Sequence, residues 1–208
     1  MSAVVAIDGP AGSGKSSVAR ALADALGYSF LDTGAMYRAV TVEALARGLD
    51  PHDGAALGEL ANSLELVLTP RVLVNGRDVE DELRSEAVNA AVSLVAAHRA
   101  VRAAMVERQR EWAARQPVGT VAEGRDTATV VFPHAALKVF LTASLEERQR
   151  RRGDESAASV ARRDAVDTSR EASPLRPAPE ACVVDTTGVA VDDVVKEIVA
   201  CLATRTSS

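Results

Sequence analysis

The chain has 208 residues, 47% of them hydrophobic and 3% aromatic, and carries a formal net charge of −5. This length and hydrophobic content suit one compact domain with a core and a sub-lobe. The charge and the few aromatic rings argue against a large nucleic-acid footprint or a base-stacking platform. No apolar stretch reaches the roughly 18 residues of a membrane span, so we expect a cytoplasmic protein. The cysteines Cys182 and Cys201 lie far from any C-x-x-C spacing, and we expect small hydrophobic side chains without a disulfide.

Arginine is unusually frequent, since it supplies 21 of the 24 basic side chains and lysine only three. Codon bias explains this excess as readily as function does. The functional explanation is that guanidinium groups bind phosphates through two parallel hydrogen bonds. The count alone does not decide between the two.

The first predicted elements enclose a glycine-rich loop. Val4–Ile7 is a continuous apolar run typical of a buried strand, and Ser16–Leu26 has helical periodicity that Gly27 ends. The loop between them matches the phosphate-binding pattern Gly-x4-Gly-Lys-Ser and reads Gly9-Pro10-Ala11-Gly12-Ser13-Gly14-Lys15-Ser16-Ser17. Its N–H groups would surround an anion, Lys15 would reach the β- and γ-phosphates, and Ser16 would ligate Mg²⁺. An ordinary glycine-rich turn is the alternative, but the strand before it and the helix after it favour nucleoside triphosphate binding.

Further apolar runs alternate with helical periodicity along the chain. These runs are Ser29–Leu31, Val118–Ala122, Leu137–Leu141 and Cys182–Val184. Together with the first strand they predict an α/β fold, a P-loop NTPase core with a five-stranded parallel sheet flanked by helices. The interval from Gly34 to Gln116 is too long for one crossover. Its short β runs around the Asn75-Gly76 turn predict a small inserted antiparallel sheet, and residues 82–115 are predicted to be helical with a break near His98.

Three classes of protein use a phosphate-binding loop. A GTPase switch needs an Asn-Lys-x-Asp motif, and no asparagine of this chain precedes a lysine. Nothing in the chain is typical of a helicase or transporter ATPase. A small phosphotransferase needs a second site for its acceptor, built from arginines and polar groups that recognise a base.

Two clusters that follow predicted strands are candidates for this second site. In Asp32–Arg38, a glycine turn would feed a helix and place Arg38 in its first or second turn. Glu123–Asp126 lies at the carboxyl end of a core strand, where ligands bind in open α/β sheets. The structural alternatives are a capped helix with a surface arginine and a simple salt bridge.

A third cluster lies near residue 165. Arg163, Asp167 and Arg170 are spaced so that all three line one face of a predicted helix. A solvated charged face is the usual explanation for such a run. The presence of two other clusters and a phosphate-binding loop makes that explanation less attractive in this chain.

In these motifs the chain resembles the bacterial cytidylate kinases, members of the P-loop nucleoside monophosphate kinases, along nearly its whole length. The matching stretches are Ile7–Pro10 with the loop, Asp32–Arg38, Gly124–Asp126 leading into Thr129–Pro133, and Arg163 to Leu175. The loop alone is shared with adenylate, shikimate and gluconate kinases, whereas the Gly-Arg-Asp…Val-Val-Phe-Pro run and the inserted sheet are specific to this family.

The resemblance implies transfer of the γ-phosphoryl group of ATP to CMP or dCMP, with Mg²⁺, by a monomer that binds neither nucleic acid nor membrane. It implies a core of residues 1–36, 116–147 and 171–208, a monophosphate-binding lobe of 37–115 and a short lid of 148–170. The stretch between Arg148 and Arg163 is shorter than is usual in the family. Either the lid is compact or part of a mobile loop is absent from this sequence.

By matching positions, the resemblance also implies the roles of individual residues. CMP would be bound by Thr33, by Arg38, Arg125 and Arg170 at its phosphate, by Ser93, Arg102 and Asp126 at the cytosine edge, and by Arg163 and Asp167 at the ribose. A carboxylate suits the exocyclic amine of cytosine, and arginines suit phosphate oxygens.

Catalysis would combine Lys15, Arg125, Asp126 and Arg152. No general base is needed, because a phosphate monoester with a second pKa near 6 is already largely dianionic at pH 7. The positive charge over the γ-phosphate would come from arginines of the lid. Arg148 and Arg152 lie four residues apart on one helix face, so we expect Arg148 to bind ATP, Arg152 to act in catalysis and Arg150 to point away.

The sugar assignment leads to a prediction. If the Asp167 carboxylate accepts a hydrogen bond from the 2′-hydroxyl, Asp167→Asn will lower kcat/KM for CMP more than for dCMP. Steady-state assays with both acceptors measure this difference. Equal losses would instead assign Asp167 to holding a neighbouring arginine.

Overall fold

The computed structural model describes residues 3–152 and 175–206. The chain forms two compact units, one of Met1–Asp32 with Arg110–Ser208 and one of Thr33–Gln109. Within the described ranges, every helix is too short or too polar to cross a membrane.

Strands and helices of the described residues are numbered in chain order. The strands are β1 (Ala3–Asp8), β2 (Ser29–Asp32), β3 (Leu66–Val67), β4 (Leu73–Val74), β5 (Arg77–Asp78), β6 (Gly119–Gly124), β7 (Leu137–Thr142) and β8 (Cys182–Asp185). The α-helices are α1 (Lys15–Leu26), α2 (Thr33–Ala46), α3 (Gly54–Ser63), α4 (Glu86–Val95), α5 (Arg99–Ala114), α6 (Leu145–Arg152) and α7 (Val191–Thr206). A π-helical turn covers Thr127–Val131.

The first unit is built on a parallel sheet of five strands in the order β2-β6-β1-β7-β8. The predicted fold class is therefore confirmed. The register pairs Glu123 of β6 with Ile7 of β1 on one side and with Asp32 of β2 on the other. Because all five strands run in the same direction, the carboxyl ends of β1, β2 and β6 bring Asp8, Asp32 and Glu123 to one edge of the sheet.

Continuous apolar runs form these strands because both faces of the sheet are covered. On one face, Val18 and Leu22 of α1 and Val194 and Ile198 of α7 share a fully buried core with strand side chains such as Leu141. Alanines such as Ala6, Ala128 and Ala178 form a smaller core cluster. This packing fixes α1, and with it the loop that precedes α1, over the carboxyl end of β1.

The second unit contains the small antiparallel sheet, in the order β3-β4-β5. Asn75 and Gly76 connect β4 to β5 with positive φ angles of 50° and 79°, which is the conformation of a tight hairpin turn. The predicted insertion and its turn are confirmed. The predicted break near His98 is also present, between α4 and α5.

Three expectations about local structure are wrong. The helix predicted from residue 82 begins at Glu86, because Ser85 caps it and the preceding residues form turns. No glycine turn precedes α2, since the helix starts at Thr33 directly after β2. Cys182 of β8 and Cys201 of α7 are joined as a disulfide, with Cα atoms 6.9 Å apart. Their separation of 19 residues matches no local motif, and only the packing of α7 beside β8 brings them together.

Asp8 ties two separate segments of the first unit together. Its buried carboxylate accepts hydrogen bonds from the backbone N–H groups of Thr127 and Ala128, both at 2.8 Å. Burial raises the pKa of the Asp8 carboxyl, and these two N–H groups oppose that rise. The bonds hold the start of the π-helical turn against the end of β1.

We expect Asp8→Asn to destabilise the fold by about 1–3 kcal/mol, because the amide replaces one acceptor with a donor and leaves a buried N–H group without a partner. Urea unfolding of the variant measures this change. Asp53→Asn is the matched control. Asp53 caps α3 through a single exposed oxygen, and asparagine caps a helix equally well. Equal stability of the two variants would contradict the role assigned to Asp8.

Candidate active site

The phosphate-binding loop lies between β1 and α1, and its backbone conformation demands glycine. Gly9 and Gly12 have φ angles of 155° and 78°. A methyl group on Gly9 would lie 2.2 Å from the carbonyl oxygen of Leu141, and one on Gly12 would lie 2.6 Å from that of Arg148. Any other residue at these two positions would therefore meet both backbone strain and a backbone clash.

Lys15 opens α1 and is buried. Its ammonium group donates a hydrogen bond of 2.8 Å to the carbonyl oxygen of Pro10. Desolvation, followed by repulsion from Arg125, lowers the pKa of Lys15 to about 7, and Glu123 opposes this change. Arg152 also lowers it by repulsion, so two arginines act on Lys15 beside the loop.

Glu123 lies at the carboxyl end of β6, and no role was predicted for it from the sequence. It is buried, and desolvation followed by repulsion from Asp32 raises its pKa to about 7. Lys15 and a hydrogen bond with the Ser16 side chain oppose the rise. A carboxylate at the end of the strand beside β1 is a signal that could have identified this residue from the sequence.

Oxygen ligands suitable for Mg²⁺ are present around Ser16. Its hydroxyl is hydrogen-bonded to Glu123, and Asp32 is an electrostatic neighbour of Glu123. No group of three or more Asp, Glu, His or Cys side chains in the described part of the chain is arranged to hold a metal by itself. Since Mg²⁺ commonly combines one or two carboxylates with substrate phosphates, this oxygen set fits it.

Arg125 and Asp126 follow β6 directly. Asp126 is buried, and its backbone carbonyl oxygen accepts hydrogen bonds from the N–H groups of Thr129 and Val130, at 3.3 and 2.8 Å. It therefore starts the π-helical turn that Asp8 also binds. Arg125 is half-buried, and its charge acts on both Lys15 and Glu123. The first unit thus brings Arg125 into electrostatic contact with the phosphate-binding loop.

Helix α6 lies against the same loop and presents its arginines differently. Arg148 donates to the carbonyl oxygen of Ala11 at 3.1 Å. Arg150 is 72% exposed and forms a two-pronged ion pair with Glu147, at 2.9 and 2.7 Å. Arg151 is 23% exposed and donates hydrogen bonds to Gly12 of the loop and to Thr186. No role was predicted from the sequence for Arg151 or for Thr186.

The second unit holds the other predicted CMP residues that the structure describes. Thr33 is the first residue of α2, and Ser93 lies half-buried in α4. Arg38 of α2 donates to the carbonyl oxygen of Leu83 at 2.7 Å and to the side chain of Asn89 at 2.8 Å. These contacts hold the guanidinium group of Arg38 in place.

Arg102 of α5 is buried in the second unit. It donates to the carbonyl oxygen of Ala96 at 3.4 Å, and its guanidinium group lies 5.6 Å from the centre of the Tyr37 ring. The predicted residues Arg163, Asp167 and Arg170 lie outside the described residues.

A family model described as cytidylate kinase matches residues 5–204. The chain is 49% identical to the cytidylate kinase of Geobacillus kaustophilus (strain HTA426), in an alignment that covers 93% of each chain.

Two solved structures resemble the chain in fold. TT1252 from Thermus thermophilus has a TM-score of 0.52 at 22% identity and covers 96% of this chain and 97% of its own. Shikimate kinase from Acinetobacter baumannii has a TM-score of 0.50 at 14% identity, covering 98% of this chain and 94% of its own. At these identities the likeness concerns the fold alone.

Lys15→Met removes the ammonium group but keeps most of the side-chain volume. We expect phosphoryl transfer from ATP to fall by about a hundredfold or more, because the lost charge acts where negative charge builds up during transfer. We expect Tm to stay within a few degrees of the wild-type value, since burial disfavours the charged form of this lysine.

Turnover and thermal unfolding are measured on the same preparation of each variant. Lys138→Met, in β7 and outside the loop, is the matched control and should keep wild-type turnover. Turnover of Lys15→Met close to the wild-type value would remove the lysine from the mechanism.

Proposed function

Because the chain belongs to the cytidylate kinase family, we propose that it transfers the γ-phosphoryl group of ATP to CMP or dCMP, yielding ADP and CDP or dCDP. The observation that carries the proposal is the cluster of positive charge at the phosphate-binding loop. Lys15 is repelled by Arg125 and Arg152. This repulsion is unfavourable in the protein alone, and a polyphosphate would relieve it. The loop is therefore suited to ATP.

ATP is proposed to bind along the loop from Gly9 to Ser17. The positive end of α1 faces its phosphates, and Lys15 lies at the first residue of that helix. Arg148 and Arg152 come from α6, the helix that lies against the loop, and Arg152 is proposed to act on the charge of the transferred group. Arg150 has no role in this proposal because Glu147 binds it.

Mg²⁺ is proposed to bind at the hydroxyl of Ser16. Glu123, hydrogen-bonded to that hydroxyl, and Asp32 beside it would complete the protein's oxygen contribution, directly or through water. When bound, the ion would neutralise charge on the phosphate oxygens. Glu123 therefore joins the proposed site as a residue that positions Ser16.

CMP is proposed to bind Arg38, Arg125 and Arg170 through its phosphate, and Ser93, Arg102 and Asp126 through cytosine. Arg163 and Asp167 would bind its ribose, and Thr33 would complete the site. The fixed guanidinium of Arg38 supports its assignment, because a preorganised cation loses less freedom on binding an anion. The burial of Asp126 and Arg102 supports their assignment to cytosine, since hydrogen bonds to a base edge discriminate between bases best where water is excluded.

The proposed reaction needs alignment and charge neutralisation rather than a general base. The phosphate of CMP is largely dianionic at pH 7 and can attack the γ-phosphorus directly. Lys15 and the arginines would hold the phosphates in line and exclude water, which otherwise competes as the acceptor. We expect the enzyme to act in the cytoplasm, where ATP and CMP are available, as a monomer.

A coupled assay that follows ADP production tests this function. With ATP and Mg²⁺, we expect rapid turnover with CMP or dCMP and much slower turnover with UMP, AMP, GMP, TMP, shikimate and gluconate. Chelation of the metal should abolish turnover. Preference for shikimate or gluconate would overturn the proposed acceptor while retaining the loop and ATP.

Base recognition leads to a further prediction. Asp126→Ala should lower kcat/KM for CMP by an amount equivalent to about 1–3 kcal/mol, because one base-edge contact is lost. The ratio of kcat/KM for CMP to kcat/KM for UMP should therefore become smaller. The measurement is steady-state kinetics with both acceptors. If kcat/KM falls by the same factor for CMP and for UMP, Asp126 acts only by positioning Arg125.

A further inference from the structure

The outward face of the phosphate-binding loop is held by side chains. The carbonyl oxygen of Pro10 accepts from Lys15 at 2.8 Å, and that of Ala11 from Arg148 at 3.1 Å. The next two carbonyl oxygens belong to Gly12 and Ser13. They accept from Arg151 at 3.5 Å and from the Thr186 hydroxyl at 3.0 Å, respectively. Four consecutive carbonyl groups thus have side-chain donors.

This pattern has a physical cause. A loop that binds an anion through its N–H groups must turn them inward, and its carbonyl groups then point outward. Outward carbonyl groups packed against protein lose water and need donors of their own. Donors on these carbonyl groups therefore favour the anion-binding shape of the loop.

Arg151 and Thr186 form a connected pair behind the loop. Arg151 donates to the Thr186 hydroxyl at 2.9 Å and to its carbonyl oxygen at 2.6 Å. Thr186, which follows β8, is buried, and its hydroxyl also lies 3.1 Å from the carbonyl oxygen of Thr142 in β7. Glu147 accepts from the Nε atom of Arg151 at 2.8 Å and fixes the guanidinium plane. The pair connects α6, the sheet and the loop within the first unit.

We propose that Arg151 and Thr186 are positioning residues that hold Gly12 and Ser13 in the ATP-binding conformation. The inference rests on the proposed function, in which this loop binds ATP. The pair acts from behind the loop, through its carbonyl groups. Losing it lets Gly12, whose φ of 78° is strained for other residues but easily changed in glycine, adopt other conformations. ATP affinity then falls because the loop must be ordered on binding.

Thr186→Val tests the proposal with little change in volume, since it removes the hydroxyl and keeps the packing. We expect the Kd and KM for ATP to rise about tenfold, the effect of losing hydrogen bonds that involve a charged group. The KM for CMP should stay within about twofold of the wild-type value. Thr186→Ser, which keeps the hydroxyl, should restore ATP binding.

Arg151→Lys is the second variant, and it tests the proposal even if Thr186→Val does not fold. Lysine keeps the positive charge but lacks the planar guanidinium group that contacts both Thr186 and Gly12. We therefore expect ATP affinity again to fall about tenfold. Arg150→Ala is the matched control on the same helix, because Arg150 binds only Glu147 among the described contacts. It should keep wild-type ATP affinity.

ATP affinity is measured by calorimetry and CMP dependence by steady-state kinetics, so failure of the inference and failure of the proposed function are distinguishable. We expect Thr186→Val and Arg151→Lys each to weaken ATP binding and to leave the KM for CMP nearly unchanged. If the double variant weakens ATP binding by less than the product of the two single effects, the pair acts as one unit. Wild-type ATP affinity in folded Arg151→Lys, or equal losses for ATP and CMP, would overturn the inference. A wild-type protein that binds ATP without phosphorylating CMP would overturn the proposed function only.

Discussion

A backbone that binds a polyanion must present its N–H groups inward, and this one requirement organises the first unit. The inward turn places carbonyl groups of residues 10–13 on the outside, where Lys15, α6 and Thr186 donate to them. It also requires glycine at positions where the strand β7 and helix α6 approach closely. The placement of α6 and of Thr186 after β8 therefore supports the backbone conformation of the loop.

The same requirement concentrates opposing charges in a buried space. Lys15 and Glu123 both have pKa values displaced to about 7 by burial, and each opposes the displacement of the other. The proposed ATP and Mg²⁺ would add negative charge beside Lys15 and positive charge beside Glu123, and each would favour the charged form of its neighbour. Asp8, at the end of the neighbouring strand, holds the turn after β6 and so fixes the segment that carries Arg125 and Asp126.

Local patterns in the sequence predicted the sheet, the loop and the inserted hairpin well, because each depends on residues near one another in the chain. Apolar runs mark buried parallel strands, and Asn75-Gly76 marks its turn through its own backbone preference. The Arg151–Thr186 pair and the Cys182–Cys201 disulfide escaped notice because they join residues that only the folded chain brings together. The role of Glu123 was also missed, although its place at a strand end was visible. The residues assigned to CMP stay predictions from the resemblance, since they depend on a ligand's position.

The place of β1 in the sheet has a consequence for how the protein is made. Among the described residues, β1 (Ala3–Asp8) pairs with β6 and β7, which begin much later in the chain, at Gly119 and Leu137. The ribosome therefore releases the phosphate-binding motif more than a hundred residues before its strand has a neighbour. Residues 33–109 form a contiguous unit that can acquire its own contacts during this interval. The parallel sheet that positions the loop, and with it any stabilisation by nucleotide, can therefore form only late in synthesis.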